Sequence, residues 1–131
     1  MSFKAILRID GDEMNILECR FSFTQHTDHN GRPAARPKGG TISLLLESAG
    51  ETGLFDWMIS NTRMKSGSIT FFRRDAMSRL KSLQFRDAYC VGYTEQFYAS
   101  GEQPLQIQLT LSAREISLNN TVYQNPWPQS V

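Results

Sequence analysis

Residues 105–113 read LQIQLTLSA, a stretch in which apolar and polar residues alternate. Its apolar positions are Leu105, Ile107, Leu109, Leu111 and Ala113. A period of two is typical of a β-strand that buries one face and exposes the other. The stretch therefore predicts a long strand with one face in a hydrophobic core.

The same alternation recurs in segments that begin near residues 3, 13, 41, 66 and 80. Several such strands separated by polar turns are the pattern of an all-β domain. We expect a mainly β fold, a compact antiparallel β-barrel of two packed sheets with one short flanking α-helix. Closure of the sheet removes exposed strand edges that would otherwise pair with other chains.

Interruptions of the alternation predict bulges in two strands. In the strand that starts near residue 80, Asp87 and Glu95 interrupt an apolar face formed by odd-numbered residues. We expect that odd-numbered face, which includes Tyr89 and Val91, to point inward. In the last long strand the apolar positions change from odd to even numbers, which places a bulge near residues 114–115.

One segment, residues 52–61 (TGLFDWMISN), reads as a helix. It is apolar around most of its circumference, through Leu54, Phe55, Trp57, Met58 and Ile59. A helix packed on a single barrel needs only one apolar stripe, because its other face meets water. We therefore predict that these side chains are divided between the core and an interface with a second copy of the chain.

Residues 26–40 (HTDHNGRPAARPKGG) lack apolar periodicity and contain two prolines and three glycines. Long segments of this kind in compact domains are usually functional or disordered. Proline lowers the conformational entropy that a segment loses when it is ordered against a partner. We therefore expect an arm that contacts a neighbouring subunit through Arg32, Pro33, Arg36, Pro37 and Lys38.

The chain has 131 residues, enough for one domain with a substantial core. We assign residues 1–118 to the barrel domain and residues 119–131 to a C-terminal tail. The 14 basic and 13 acidic side chains nearly cancel, so no overall field favours nucleic acid or a membrane surface. Two cysteines, Cys19 and Cys90, are too few for a disulfide framework.

The sequence offers little for catalysis or cofactor binding. His26 and His29 are the only histidines, and no cysteine or glutamate lies near them to complete a metal site. No phosphate-binding glycine motif or nucleophile motif is present. The sequence thus predicts neither an enzyme nor a cofactor. Because it shows no signal peptide or membrane span, we expect assembly in the cytoplasm, no stable membrane insertion, and export without a signal peptide.

The polar face of residues 105–113 is uncharged. It consists of Gln106, Gln108, Thr110 and Ser112. A neutral face of amides and hydroxyls suits the lining of a wide aqueous passage, where cargo of either charge would move without being trapped. An ordinary solvated strand face fits the same residues equally well.

Five stretches follow one another in a specific order. They are GRPAARPKGGTISLLLES (31–48), LFDWMIS (54–60), KSGSITFFRRD (65–75), FRDAYCVGYTEQF (85–97) and LTLSAREIS (109–117). Together they resemble the tube-forming subunit of bacterial type VI secretion systems, the haemolysin-coregulated protein family (Hcp, also called TssD). The resemblance extends from the first strand to Ser117.

The resemblance implies a barrel whose copies form hexameric rings, which stack into a hollow tube inside a contractile sheath. It also implies spike and baseplate proteins and small effectors as partners, and it implies no catalytic residue or cofactor. The family's loop after the second strand, here residues 26–40, contacts adjacent subunits. Two other functions are compatible with a small barrel: a monomeric lipocalin-like ligand carrier with a roomy interior, and a phage-type tail-tube protein.

Overall fold

The computed structural model describes residues 3–48, 50, 52–73 and 78–127. The elements in chain order are β1 (Phe3–Ile9), β2 (Asp12–Phe21), β3 (Thr41–Glu47), α1 (Gly53–Ile59), β4 (Lys65–Arg73), β5 (Arg79–Phe97), β6 (Leu105–Leu118) and β7 (Thr121–Gln124). The helix is shorter than the expected span of about 52–61, because the backbone is already extended at Ser60. The polar turn expected at residues 75–79 lies mostly outside the described residues.

All seven strands in the described part of the chain belong to one antiparallel sheet, ordered β3-β2-β1-β4-β5-β6-β7. An additional pairing of β3 with β6 closes the first six strands into a barrel. One edge of β6 pairs with β5, and the other edge is divided between β3 (residues 106–112) and β7 (residues 115–118). The predicted fold class is confirmed, and the two packed sheets expected there are opposite walls of one closed sheet.

Inward-facing residues of the barrel strands form one hydrophobic core. Its largest fully buried side chains are Trp57, Phe85, Leu7, Ile42, Leu44, Leu46, Ile69, Leu83, Ile107, Leu109, Leu111 and Ile116. Burial of apolar area contributes about 25 cal/mol per Å² to stability, so this interior is the main stabilising feature of the fold. Side chains of this size fill a six-stranded barrel, which argues against a lipocalin-like carrier with a roomy interior.

Strands β5 and β6 change the face that they bury at the same point. Phe85 pairs with Ile116 in the core, whereas the next inward pair is Ala88 with Ala113, three residues along each strand. Asp87, which lies between these pairs, has a φ of 52°. The bulge predicted at Asp87 is confirmed, because the pairing of β5 with β4 shifts register between Phe85 and Ala88. In β6 the buried face changes near residues 114–115 as predicted, but the pairing with β5 keeps the same register there, so the predicted bulge is not seen in that pairing.

The outer face of β5 differs from the prediction. Tyr89 and Val91 do not point inward as the odd-numbered pattern predicts, since Val91 is exposed and the neighbouring Cys90 is buried instead. After Asp87 the even-numbered residues of β5 point inward instead of the odd-numbered ones. A register shift just after Cys90 returns the odd-numbered residues to the inner face. The bulge predicted at Glu95 is wrong, because the pairing of β5 with β6 is regular there.

The barrel has two distinct ends. At one end, which we call the helix end, α1 follows β3, and the backbone N–H of Ser48 donates to the backbone oxygen of Leu105 at 3.0 Å. At the other end, which we call the arm end, β2 stops and β3 starts. Residues 22–40 connect these two strands. Within this connection we call residues 24–38 the arm; they contain most of the segment 26–40 predicted from the sequence. The length of β3, roughly 20 Å, separates the helix from the arm.

Residues 119–127 contain more structure than the tail assigned from the sequence. Thr121–Gln124 form β7, which pairs with the end of β6. Trp127 packs on Tyr89, with ring centroids 5.7 Å apart. A strand of four residues is too short to give a recognisable alternation in the sequence. The remaining residues assigned to the tail, 128–131, lie outside the described residues.

Gly67 in β4 has no room for a side chain. A Cβ there would lie 2.6 Å from the backbone oxygen of Arg8 and 2.8 Å from Cζ of Phe85. We expect Gly67→Ala to lower the free energy of unfolding by about 1–3 kcal/mol, because extra volume in a packed core displaces side chains and backbone. Urea denaturation measures the change. The control is Gly53→Ala, where no atom lies within 4 Å of the added Cβ; equal losses for both variants would contradict the packing argument.

Candidate assembly surfaces

Part of the predicted helix surface belongs to the core. Leu54 and Trp57 are buried, and the indole Nε1 of Trp57 donates to the backbone oxygen of Arg63 at 3.1 Å. The Sδ atom of half-buried Met58 lies 3.8 Å from the Sγ atom of Cys90. These side chains close the helix end of the barrel, so their main role is to stabilise the single copy.

The other two helix residues face outward. Phe55 is 49% exposed and Ile59 is 69% exposed. The Phe55 ring makes an edge contact with Tyr93, with ring centroids 5.7 Å apart. The helix residues are thus divided between the core and an exposed surface, and the contact of that surface with a second copy stays a prediction.

The helix end of the barrel combines exposed apolar groups with acidic ones. Phe97, at the end of β5, is 69% exposed. The exposed carboxylates at the same end are those of Asp56, Glu95 and Glu102 and, at the β1–β2 turn, those of Asp10 and Asp12. Arg63 is an exposed cation there, and Lys65 forms an ion pair with Asp10. We define the helix-end surface as Phe55, Ile59, Phe97, Asp56, Glu95 and Glu102.

The arm folds back on itself as an irregular hairpin held by two isolated antiparallel bridges. Thr24 and Lys38 exchange backbone hydrogen bonds of 2.9 and 2.6 Å, and Thr27 forms a second antiparallel bridge with Pro33. At the tip, the Asp28 carboxylate accepts hydrogen bonds from two backbone N–H groups. Apolar alternation is absent from the arm, so the sequence pattern could not predict this pairing.

Every residue of the arm is exposed. The five predicted contact residues lie together on it: Arg32, Pro33, Arg36, Pro37 and Lys38. Three of them are cations and the arm contains one carboxylate, that of Asp28, so the arm carries a net positive charge. The structure does not bring these residues together with the helix residues, because the two groups lie at opposite ends of one barrel.

The polar row of β6 lies on the outer surface of the barrel. Its members are Gln106, Gln108, Thr110 and Ser112, all half-buried. Their partners are Glu47, Leu45, Ser43 and Thr41 in β3, and Gln96, Thr94, Gly92 and Tyr89 in β5. The row is therefore the centre of a three-stranded face that is mainly polar. Among its members and these partners, Glu47 is the one charged residue.

Sequence reasoning missed an apolar surface at the arm end. A shallow cavity of about 280 Å³ is lined there by Phe3, Cys19, Phe21, Phe71, Leu80 and Lys81. Phe3 shares a strand face with the buried Leu7 and Ile9, so alternation predicts that it is buried, yet it is exposed. Its place as the first residue of β1, at the rim of the barrel, explains the difference.

The described residues contain no group of three or more histidine, cysteine or acidic side chains that could hold a metal ion.

Burial raises the pKa of the Cys19 thiol to about 11. Burial also raises the pKa of Cys90, against a smaller opposing effect of its hydrogen bond to Gly92. Both thiols therefore stay protonated and are poor nucleophiles at neutral pH. Among the described residues, no helix is both long enough and apolar enough to cross a membrane.

A family model described as hemolysin coregulated protein Hcp (TssD) matches residues 1–128. The chain belongs to the Hcp (TssD) family. It is similar to Hcp1 from Flavobacterium johnsoniae, with 38% identity and a TM-score of 0.87, over 93% of this chain and 99% of that chain. A search among curated proteins gives no match.

More distant structures share the fold. Hcp1 from Salmonella typhimurium is 14% identical with a TM-score of 0.73, over 94% of this chain and 92% of that chain. A chain of the PVC sheath–tube complex, from an extracellular contractile injection system in the extended state, is 19% identical with a TM-score of 0.55, over 89% and 88% of the two chains. At these identities the likeness concerns the fold alone.

Membership of the Hcp family makes the chain a structural subunit of a type VI secretion tube, which is the function predicted from the sequence. Tubes of this family are built from copies of one chain. The roles of the arm, the helix-end surface and the polar row within such a tube stay predictions.

Trp57 and Phe55, two residues apart on α1, should respond differently to truncation. Trp57→Ala removes a fully buried indole and should lower the free energy of unfolding of the single copy by about 3–5 kcal/mol. Phe55→Ala removes a half-exposed ring and should cost about 1 kcal/mol, typical of an aromatic pair. Guanidinium denaturation of the dilute, unassembled chain measures both. Similar losses for the two variants would contradict the division of the helix.

Proposed function

We propose that six copies of the chain form a ring, that rings stack head to tail, and that a contractile sheath propels the resulting tube. The family match and the similarity to Hcp1 from F. johnsoniae support the tube. The likeness to a chain of a sheath–tube complex supports the sheath. The role is structural rather than catalytic, because the chain acts through its shape and its contacts with copies of itself.

The observation that carries this arrangement is the exposed, ordered arm. A hairpin whose residues all face solvent buries little apolar area and adds little to the stability of its own barrel. Its internal hydrogen bonds nevertheless order it before any partner binds. Less entropy is then lost when it docks, so an ordered projection of this kind is suited to contact with another copy.

Charge and position select the surface that the arm contacts. The arm has a net positive charge, whereas the helix-end surface carries three exposed carboxylates. Because the two surfaces lie at opposite ends of one barrel, the arm of one copy docks on the helix end of the next copy in the same orientation. Such a contact is heterologous, so it repeats along an axis instead of closing after two copies. Phe55 and Ile59 are the helix residues that take part, since Leu54 and Trp57 are buried in their own barrel.

The polar row lines the lumen of the tube in this proposal. The row itself carries no charge, so a small effector protein of either charge is not held by it. Spike and baseplate proteins contact the ends of the tube, and the sheath surrounds its outer wall. The chain assembles in the cytoplasm and leaves the cell as part of the tube, without a signal peptide.

Charge reversal in the arm tests the docking. Arg36→Glu should leave the free energy of unfolding of the single copy within about 0.5 kcal/mol of the unchanged chain, because Arg36 is exposed. It should raise the protein concentration at which stacks form by about tenfold, since an attraction between opposite charges becomes a repulsion. Sedimentation velocity and negative-stain imaging measure the assembly.

A second charge reversal, on the helix-end surface, tests whether stacking can be restored. Asp56→Lys alone should weaken stacking in the same way, and the combination with Arg36→Glu should restore it, because the facing charges are again opposite. Arg86→Gln, which changes an exposed arginine of β5, is the control and should stack normally. Normal stacking by Arg36→Glu, or failure of the combined variant to recover, would show that the arm does not dock on the helix end.

Cysteine labelling tests the position of the polar row. In assembled tubes, Gln108→Cys should react with a small maleimide and should be protected from a maleimide coupled to a large globular protein. The native thiols give little background, because burial raises the pKa of Cys19 to about 11. Mass spectrometry of the labelled chain measures the reaction. Reaction with both reagents would place the row on the outer wall, and protection from both would place it in a subunit interface.

A further inference from the structure

The C-terminal segment holds the base of the arm. The backbone N–H of Gly39, the first residue after the arm, donates to the hydroxyl oxygen of Tyr123 at 3.0 Å. The same hydroxyl lies 3.2 Å from the backbone oxygen of Pro37. The side-chain Nδ2 of Asn125 donates to the backbone oxygen of Gly39 at 3.3 Å. Both backbone polar groups of Gly39 are thus bound by side chains more than 80 residues later in the chain.

Asn125 is itself fixed to β6. Its Nδ2 also donates to the backbone oxygen of Ala113 at 2.8 Å, and its backbone N–H donates to the backbone oxygen of Arg114 at 2.7 Å. Its Oδ1 lies 2.9 Å from the hydroxyl of Tyr123. The base of the arm is therefore connected through two side chains to the strand that closes the barrel.

Packing restricts the same junction. The Phe23 ring, just before the arm, lies 5.0 Å from the Tyr123 ring and occupies the space that a Cβ on Gly39 would need. Gly40 has a φ of 99°, and a Cβ there would overlap the amide of Asn125. Both glycines are therefore required for the C-terminal side chains to reach the junction.

The direction of the arm is set at this junction, because every residue of the arm beyond it is exposed. The five residues from Thr24 to Asp28, before the turn at the tip, span at most about 16 Å. A tilt of about 10° at the base would move the tip by roughly 3 Å, about the length of a hydrogen bond. Contacts at the tip therefore depend on the rigidity of the base.

We propose that Tyr123 and Asn125 are positioning residues for assembly: they hold the arm in the orientation in which it docks on the next copy. The inference rests on the proposed function, since it concerns how the docking arm is aimed. In the free chain the two side chains limit the motion of the arm and so reduce the entropy lost on docking. The C-terminal segment thereby acts on a contact that it does not itself make.

Tyr123→Phe tests the positioning role, because it removes only the hydroxyl that binds Gly39 and Pro37. Hydrogen exchange of the dilute, unassembled chain should show about tenfold faster exchange at the amides of Thr24, Lys38 and Gly39. The amides of β3 should exchange at the original rate. The concentration needed for stacking should rise by about tenfold. Asn125→Ala should act in the same direction.

Ser117→Ala is the matched control, because it removes a hydroxyl hydrogen bond to Asn119 in the same β6–β7 hairpin without touching the arm. It should change neither the exchange of the arm nor assembly. Unchanged exchange of the arm in Tyr123→Phe would overturn the inference. So would faster exchange of arm and β3 together, which indicates a general loss of stability, or a loosened arm that still stacks normally. A different result would show that the proposed function itself is wrong, namely normal stacking by Arg36→Glu.

Discussion

Seven backbone pairs between β3 and β6, from Thr41 with Ser112 to Glu47 with Gln106, convert an open sheet into a barrel. Without them the edges of both strands would present unpaired N–H and C=O groups, which invite pairing with other chains. Closure also gathers the inward side chains of six strands into one core. Because the strands then start and stop at two separate rims, closure gives the molecule a helix end and an arm end, on which the proposed assembly surfaces lie.

In the proposed stack, the asymmetry of these ends lets one small barrel build a long structure. A chain with the same surface at both ends would pair symmetrically and stop, whereas different surfaces at opposite ends allow repeated addition. The positive arm and the acidic, partly apolar helix-end surface differ in this way. Contacts between exposed charges are individually weak and screened by salt, so stacking through them would be reversible.

In the proposed assembly, several elements serve both the single copy and its contacts with other copies. The helix uses Leu54 and Trp57 to close the barrel and leaves Phe55 and Ile59 outside. Likewise β7 covers the part of the β6 edge that β3 does not reach, and the residues around it bind the base of the arm. In such a protein a surface substitution can act on assembly through the direction of a projecting segment, without touching the contact itself. Stability measurements on the single copy would not reveal this effect.

The sequence alone determined the fold class, the main strands, the presence of one helix and the family, because period-two alternation and the order of motifs are local properties of the chain. It also located the helix and arm residues, since an all-round apolar helix and a long proline-containing segment stand out against a β pattern. Only the tertiary structure decided which face of β5 is buried after Asp87, that the arm is a hairpin, and that Tyr123 and Asn125 hold its base. These features depend on backbone pairing and on contacts between residues more than 80 positions apart, which no local pattern records.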